Sequence, residues 1–340
     1  MVEPVSGADE GGGSLIGTPV TAEVEPCTRN LLILHTPRLQ DIADWQTVKD
    51  KIALRAPDIE VRIDSNLQPG SDTRRWQVTR PSVVFSPFRL VAYEPLGGTI
   101  YAGRDLGKGM QGLRMRALGL PTPATVRLAP GLRLDPERWG EHVIVKPTHG
   151  CLGRGVRLVR TNELEQRYAE LSQDGRQPML VQQYVDHVDA EGRPHLYRVL
   201  TIFGQPLYSA EVRWDEPRKS LAEIAADPDG KIASNSQGVG RRLKLVALRD
   251  VLALAERAAA AFPEIPCLGQ DIVRRTGTNQ LFVLEANPAG YSWHLSSDLG
   301  RDFTRRAKID PNLETAMYEQ FGALDVVAEQ LIAKTRLSAS

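Results

Sequence analysis

DIVRRTGTNQLFVLEAN, residues 271–287, predicts two strands joined by a tight turn. Each half of the stretch contains an apolar run, 272–273 and 281–284, and the Thr-Gly-Thr-Asn sequence at 276–279 has the composition of a turn. If the two strands pair in antiparallel fashion, Asp271 lies close to Glu285 and Asn287. The stretch therefore brings three polar side chains to the end of an otherwise apolar hairpin.

The two carboxylates and the amide of this hairpin form a candidate metal site. Glu285 and Asn287 share one face of their strand because side chains alternate along it. Such hard oxygen ligands suit Mg²⁺, which binds proteins through carboxylates together with substrate phosphates. For Asp271 alone, a solvated residue at a strand end is the simpler interpretation. The three residues together favour a metal site.

A glycine-rich turn, Gly150-x-x-Gly153-x-Gly155, lies between two predicted hairpin strands. Glycine lets the backbone approach a ligand closely and adopt positive φ, and successive N–H groups in such a turn bind phosphates. The pattern is not GxxxxGK[ST], because no Lys-Ser/Thr pair follows the last glycine. A plain hairpin turn is an equal alternative, but Lys146 on the strand leading into the turn favours a phosphate site.

These motifs, in this order, resemble the ATP-grasp superfamily, and most closely its RimK-like and glutathione-synthetase-like carboxylate–amine ligases. The resemblance runs from about residue 108 to residue 297. It implies an α/β (α+β) fold in which two α+β lobes hold ATP between them, preceded by a small Rossmann-like pre-grasp domain. The expected division is a disordered tail (1–24), an N-terminal α/β pre-grasp domain (25–104), a small lobe (105–186), and a large lobe with the metal site and a C-terminal helix (187–340).

The resemblance implies which residues bind the nucleotide. Two lysines match the nucleotide-binding lysines of the family, the glycines match its phosphate loop, and a hinge pairs its backbone with adenine. The family commonly has a glutamate where this hinge has glutamine, so the ribose partner is expected at Asp189, with Asp186 as the alternative. The implied nucleotide-binding set is Lys108, Lys146, Gly150, Gly153, Gly155, Gln182, Gln183, Tyr184, Val185 and Asp189.

The implied catalytic residues are arginines and one asparagine. One arginine begins a family strand, although the acidic residue expected two positions before it is Leu196 here. A second is expected near the transferred phosphate, and the asparagine precedes a glycine-containing loop. The resemblance implies the catalytic residues Arg198, Arg213 and Asn235, and the metal ligands Asp271, Glu285 and Asn287. Arg242, with Arg241 as its alternative, is added as a further cation expected to assist attack on the γ-phosphate.

The activity that the resemblance implies is ATP-dependent joining of a carboxylate to an amine. ATP and Mg²⁺ are the implied cofactors, with two metal ions expected and Mn²⁺ as an alternative. The substrate carboxylate attacks the γ-phosphate to give an acyl phosphate and ADP, and the amine then displaces phosphate. The expected substrates are small-molecule or peptide carboxylates and amines. Two other functions stay open: a kinase acting on a hydroxyl, and a non-catalytic ATP-binding regulator.

Charge and cysteine content narrow the class of protein. The 340 residues carry 42 basic and 42 acidic side chains, so a nucleic-acid partner is not expected. Three widely spaced cysteines suggest no disulfide framework and favour the reducing cytoplasm. The N-terminus lacks the features of a secretory signal, and no apolar run is long enough to predict a membrane span. A homodimer is left as an open alternative.

The remaining chemistry-bearing residues are weaker candidates. His149 stands out among six histidines because it lies in the glycine-rich turn, and Cys151 lies there too, without a partnered base. The run 290–297 follows the strand that carries Glu285 and Asn287 (the metal strand) and is expected to face the acceptor substrate. The alternative is a helix cap with packing aromatics. Its candidate specificity residues are Tyr291, Ser292, His294 and Ser296.

The two ends of the chain have simpler patterns. Short apolar runs at 31–34, 59–63, 83–85 and 99–101, with a helical stretch between the first two, predict a small α/β domain with a parallel sheet. Helical spacing of apolar residues after 313 predicts a helix that packs on its own domain, with a partner-binding helix as the alternative.

Overall fold

The computed structural model describes most of the chain. The described residues are Met1, 27–150, 153–172, 178–227, 230–232, 240–288, 293, 295–298, 300–301 and 312–340. Several residues singled out from the sequence lie outside this part: the expected N-terminal tail apart from Met1, Cys151, Asn235, Tyr291, Ser292 and His294.

The N-terminal part is a four-stranded parallel sheet. Its strands are β1 (Arg29–His35), β2 (Ile59–Ser65), β3 (Ser82–Ser86) and β4 (Thr99–Ala102), in the order β2-β1-β3-β4. Helices α1 (Ile42–Arg55) and α2 (Thr73–Gln77) connect them. The run Leu31–Leu34 is fully buried because parallel sheets are covered on both faces. The predicted parallel sheet with a helix between its first two strands is confirmed.

The second sheet is antiparallel and carries the glycine-rich turn. Helix α3 (Lys108–Ala117) precedes it, and its strands are β5 (Thr125–Arg127), β6 (His142–Pro147), β7 (Arg157–Arg160) and β8 (Met179–Gln183). The strand order is β5-β8-β6-β7, with short helices α4 (Pro136–Trp139) and α5 (Tyr168–Leu171) at its margin. The turn joins β6 to β7, so it extends from one end of this sheet.

The third sheet has five antiparallel strands in the order β11-β10-β9-β12-β13. They are β9 (His195–Ile202), β10 (Gln205–Trp214), β11 (Arg241–Leu245), β12 (Cys267–Arg274) and β13 (Leu281–Asn287), with α6 (Leu221–Ala226) and α7 (Arg249–Ala259) between them. Apolar residues of α7 cover one face of the sheet, on which Val199 of β9 and Ile272 of β12 lie. Asp271, Glu285 and Asn287 lie on the other face.

Two helices end the chain, α8 (Leu313–Glu319) and α9 (Ala323–Ser338). Val327 and Leu331 of α9 belong to one buried cluster with Phe85 of the N-terminal sheet and Leu207 of the five-stranded sheet. The C-terminal helix therefore packs within the chain, but against both parts rather than against the large lobe alone. Among the described helices, none combines the length and apolarity required to cross a membrane.

Candidate active site

The strand register brings the predicted metal ligands together. Asp271 of β12 lies opposite Glu285 of β13, and Gly269 lies opposite Asn287. Arg198 of β9 lies opposite Asp271 on its other side. Because directly opposed residues of antiparallel strands point to the same face, these side chains share one surface of the sheet. The pairing predicted from the hairpin sequence is confirmed.

Each carboxylate of this surface contacts a cation. Arg198 donates from Nε and Nη2 to the two oxygens of Asp271, both at 2.9 Å. The Lys108 ammonium donates to Glu285 at 2.6 Å and to the Gly150 carbonyl at 3.0 Å. The neighbouring Asp271 charge raises the pKa of Arg198 further above its usual value, so the arginine stays charged. Lys108 thus links the metal strand to the glycine-rich turn.

The donor set suits a hard divalent cation. In the described part of the chain, no group of three or more His, Cys, Asp or Glu side chains is placed to hold a metal ion. The amide of Asn287 donates to the Gly269 carbonyl at 3.2 Å, which leaves its Oδ1 as the acceptor. Gly269 adds no side chain beside it. Two carboxylates and one amide oxygen on one face fit Mg²⁺ better than softer metals.

Lys146 approaches this surface from the second sheet. Its side chain is buried, and its ammonium donates to Gln182 Oε1 at 2.9 Å. Burial lowers the pKa of Lys146 to about 8; the Glu285 and Asp271 charges act in the opposite direction, and the Lys108 charge lowers it further. The charges that act on Lys146 thus come from helix α3 and from the third sheet.

The glycine-rich turn has the backbone that only glycine adopts readily. Gly150, Gly153 and Gly155 have φ angles of 147°, 70° and 72°. A Cβ at Gly107, where α3 begins, would lie 2.7 Å from the Thr148 side chain and 3.2 Å from the His149 ring. The turn and the N-terminus of α3 therefore pack closely, next to the site of Lys108.

Several polar groups of the hinge, residues 182–185, already have partners within the protein. Gln182 is turned toward Lys146, and the Gln183 N–H already donates to the Ala124 carbonyl at 2.8 Å. The Val185 carbonyl accepts from His187 Nδ1 at 2.7 Å. An apolar cluster lies beside the hinge, as adenine binding requires. Its members are Val185, Leu196, Val273, Phe282 and Leu284. Adenine contacts from the hinge, including Tyr184, stay a prediction.

Both candidates for the ribose carboxylate are engaged elsewhere in the structure. Asp189 accepts from the Glu191 and Arg193 N–H groups at 3.0 and 2.8 Å and from Arg193 Nε at 3.1 Å. Asp186 accepts from Arg218 at 3.0 Å and from the Tyr184 hydroxyl at 3.1 Å. Asp189 thus closes a turn, and a ribose contact would have to compete with that role.

The register corrects the expected placement of two arginines. Arg213 of β10 lies opposite Arg242 of β11 and His195 of β9. His195 is an odd number of residues from Arg198, so Arg213 and Arg242 face away from the Asp271 surface. Arg213 lies 3.6 Å from Asp189 and Arg242 2.9 Å from Asp215, where its side chain is 74% exposed.

Arg241 lies on the same face as Arg198. It is opposite Trp214, and its guanidinium lies 5.0 Å from the centre of that ring. Burial lowers the pKa of Arg241, and the Arg198 charge lowers it further. Of the two neighbouring arginines, Arg241 is therefore the one that lies on the face of Arg198 and Asp271.

The segment after the metal strand is held by the N-terminal domain. The buried Ser296 hydroxyl accepts from the Asp41 N–H at 3.0 Å and from Trp293 Nε1 at 3.2 Å. Trp293 also donates to Asp44 at 3.2 Å, and its ring lies 4.9 Å from that of Trp45. Burial raises the pKa of Asp44. Ser296 is thus a packing residue here, as the alternative interpretation of this run expected.

Comparisons with known proteins give similarity at the level of fold. No family model matches the sequence, and no curated protein matches it. The chain is structurally similar to ATP-grasp ligases. D-cycloserine synthetase DcsG is 18% identical, with 88% of this chain and 99% of that chain covered and a TM-score of 0.48.

Two further solved structures show the same relationship. The ATP-grasp ligase PsnB, complexed with minimal precursor, Mg and ADP, is 18% identical, with 90% and 98% of the two chains covered and a TM-score of 0.49. The macrocyclase MdnC from Microcystis aeruginosa MRC, bound with precursor peptide MdnA, is 13% identical, with 89% and 99% covered and a TM-score of 0.47. Sequence identities this low show similarity of fold alone, so the function of this chain has to be inferred from its own residues.

Proposed function

We propose that this protein is an ATP- and Mg²⁺-dependent ligase that joins a carboxylate to an amine. The observation that carries the proposal is the meeting of two lysines and two carboxylates between the second and third sheets. Lys108 contacts Glu285 at 2.6 Å, and the charges of Glu285 and Asp271 act on the buried Lys146 of the second sheet. A nucleoside triphosphate with its metal ion needs such a combination, because lysines bind the phosphates and carboxylates bind the metal.

The chain offers each part of a nucleotide site. Val185, Leu196 and Phe282 belong to the apolar cluster that suits an adenine ring. Lys108 and Lys146 hold the phosphates, and the positive-φ glycines let the turn at 150–155 approach them. Mg²⁺, when bound by Asp271, Glu285 and Asn287, supplies positive charge that offsets the charge on the phosphate oxygens.

The proposed reaction has two steps. An oxygen of the substrate carboxylate attacks the γ-phosphorus, and the bond to the β-phosphate oxygen breaks, which yields an acyl phosphate and ADP. The amine nitrogen then attacks the acyl carbon and releases inorganic phosphate and a proton. Closure of the glycine-rich turn excludes water that would hydrolyse the acyl phosphate. Positioning and fixed charge supply the acceleration.

Arg241 is the proposed anion-binding residue of the transfer step. Arg241 stacks on Trp214 on the same face of the sheet as Arg198, and the Arg198 charge acts on it electrostatically. A substrate carboxylate or the transferred phosphate would accept charge-assisted hydrogen bonds from it.

The adjacent arginines 241 and 242 give a matched pair of variants. Arg241→Ala should lower kcat/KM for the carboxylate by about 10- to 100-fold, the loss expected for one charge-assisted hydrogen bond. Arg242→Ala should change it by less than about 2-fold, because that side chain is 74% exposed on the opposite face. Initial rates over a range of carboxylate concentrations would measure both. Equal losses in the two variants, or a loss confined to Arg242→Ala, would place the anion site on the other face.

Phosphate release separates the proposed ligase from a kinase and from a regulator. The purified chain is incubated with ATP, Mg²⁺ and a set of candidate carboxylates, each with an amine or with hydroxylamine, and products are identified by mass spectrometry. A ligase releases ADP and inorganic phosphate together with an amide or hydroxamate. A kinase leaves the phosphate on its product, and a regulator turns nothing over. Either of the last two outcomes excludes the proposal.

A further inference from the structure

The outer edge of the metal strand is covered by side-chain and turn acceptors. β13 is the last strand of its sheet, so N–H groups on its outer side have no strand partner. The Val283 N–H donates instead to the Pro121 carbonyl at 2.9 Å, and the Ala286 N–H donates to Gln111 Oε1 at 3.3 Å. Ala286 lies between Glu285 and Asn287. Gln111 therefore holds the backbone at the centre of the proposed metal site.

Gln111 is itself rigidly held. Its side chain is buried, and its Nε2 donates to the Leu106 carbonyl at 2.7 Å, so both ends of the amide have partners. Both contacts are specific to glutamine, because one end has to donate while the other accepts. If the side chain turned away, it would leave the buried Ala286 N–H and the partly buried Leu106 carbonyl without this partner.

The same helix contacts the metal strand a second time. Lys108 lies three residues before Gln111, so the two side chains emerge on the same face of α3. One donates to the Glu285 carboxylate at 2.6 Å, and the other accepts from the backbone one residue further on. Met115, one further turn along this face, is buried in the cluster that contains Ala286. α3 thus fixes a ligand side chain and its backbone together.

We infer that Gln111 is a positioning residue for the metal site, and this inference rests on the proposed function. By accepting the Ala286 N–H, Gln111 sets the direction in which Glu285 and Asn287 present their oxygens. It also keeps Glu285 within hydrogen-bond distance of Lys108. Groups that orient metal ligands without touching the metal typically contribute about 10- to 100-fold to metal affinity. The sequence signal for Gln111 is its spacing of three from Lys108.

Metal binding in the presence of ADP tests this role without requiring turnover. Gln111→Met keeps the length of the side chain but removes both hydrogen bonds. We expect it to weaken Mn²⁺ binding to the ADP complex by about 10-fold, as measured by electron paramagnetic resonance of free Mn²⁺. The affinity for ADP without metal, measured by calorimetry, should stay within about 2-fold, because Lys146 and the apolar cluster are unchanged.

A buried glutamine far from the site is the matched control. Gln77 of the N-terminal domain is fully buried and accepts from the Tyr93 hydroxyl at 2.8 Å. Gln77→Met should lower thermal stability as Gln111→Met does, yet leave Mn²⁺ affinity unchanged. Gln111→Asn, which shortens the side chain and withdraws the acceptor, provides a milder variant if the methionine variant does not fold.

The outcomes separate this inference from the proposed function. Selective loss of Mn²⁺ affinity in the Gln111 variants supports the positioning role. Mn²⁺ affinity within about 2-fold of wild type overturns the role while the proposed function stands, and so does an equal loss of metal-free ADP binding, since that indicates general collapse. If the wild-type chain itself binds no Mn²⁺ with ADP, the proposed function fails and the inference fails with it.

Discussion

Glu285→Gln is expected to lower ATP-dependent turnover by at least about 100-fold while the protein stays folded. The substitution removes the charge of one proposed metal ligand, and the loss of a single electrostatic group at a reacting centre typically costs 10²–10³-fold. The Lys108 ammonium, now 2.6 Å from Glu285, would lose its charged partner in the same step. Release of ADP and phosphate with a cognate substrate pair measures the loss.

A glutamate of similar setting provides the control for this prediction. Glu264 accepts from Arg114 at 2.6 Å and is partly buried, but it lies in the connection between α7 and β12 and has no proposed role as a metal ligand. Glu264→Gln should retain turnover within about 2-fold. Thermal melts of both variants would separate loss of function from loss of fold. Full activity in Glu285→Gln would remove this residue from the proposed metal site.

Lys146→Met is expected to weaken ATP binding by about 10- to 100-fold, because it removes a charge-assisted contact to the phosphates. Lys51→Met is a suitable control, since Lys51 forms a partly exposed ion pair with Asp325 on α1 and α9. Calorimetric titration with ATP would measure the affinity of each variant. Unchanged affinity in Lys146→Met would remove this lysine from the proposed phosphate site.

The same variant should change the pH dependence of stability in a defined direction. Burial lowers the pKa of Lys146 from 10.5 to about 8, so between these values the unfolded chain binds more protons than the folded one. The free energy of unfolding of the wild type therefore rises with pH in this window, by about 3 kcal/mol at 1.36 kcal/mol per pKa unit. Below pH 8 the cost of the buried charge is present in full.

Lys146→Met lacks this contribution at every pH. The free energy of unfolding of both proteins is measured with denaturant at pH 7 and at pH 10.5. Between these pH values, the free energy of unfolding of the wild type should rise by about 3 kcal/mol relative to that of Lys146→Met. The comparison is independent of the constant cost of leaving Gln182 Oε1 without its donor. A pH-independent difference between the two proteins would show that Lys146 is not a buried, charged amine at neutral pH.

The hairpin prediction succeeded because its determinants are local. Two apolar runs flanking a Thr-Gly-Thr-Asn turn leave few ways to pair, so Asp271 and Glu285 had to come close. Alternation along a strand then puts Asn287 on the same face. The positive φ angles in the glycine-rich turn follow from composition in the same way. No long-range contact has to be known for these inferences.

The sequence could not decide between Arg241 and Arg242, because the face on which each lies depends on long-range pairing. Arg241 and Arg242 are adjacent and chemically identical, and a shift of one residue in the β10–β11 register would exchange their faces. The residues that precede β11 lie in a long connection whose sequence sets no register. Pairing with β10 decides the matter, and it also turns Arg213 toward Asp189.

The sequence by itself determined the pairing of the hairpin that carries the predicted metal ligands, the glycine-rich turn and the lysine before it, since each is a short pattern governed by strand alternation and backbone freedom. Tertiary structure alone decided that Gln182 holds Lys146, that Gln111 reaches Ala286 across 175 positions, and that the C-terminal helix packs on the N-terminal sheet. These contacts join segments far apart in the chain. Which segments meet is settled by how the three sheets bury their apolar faces together, and no local pattern contains that information.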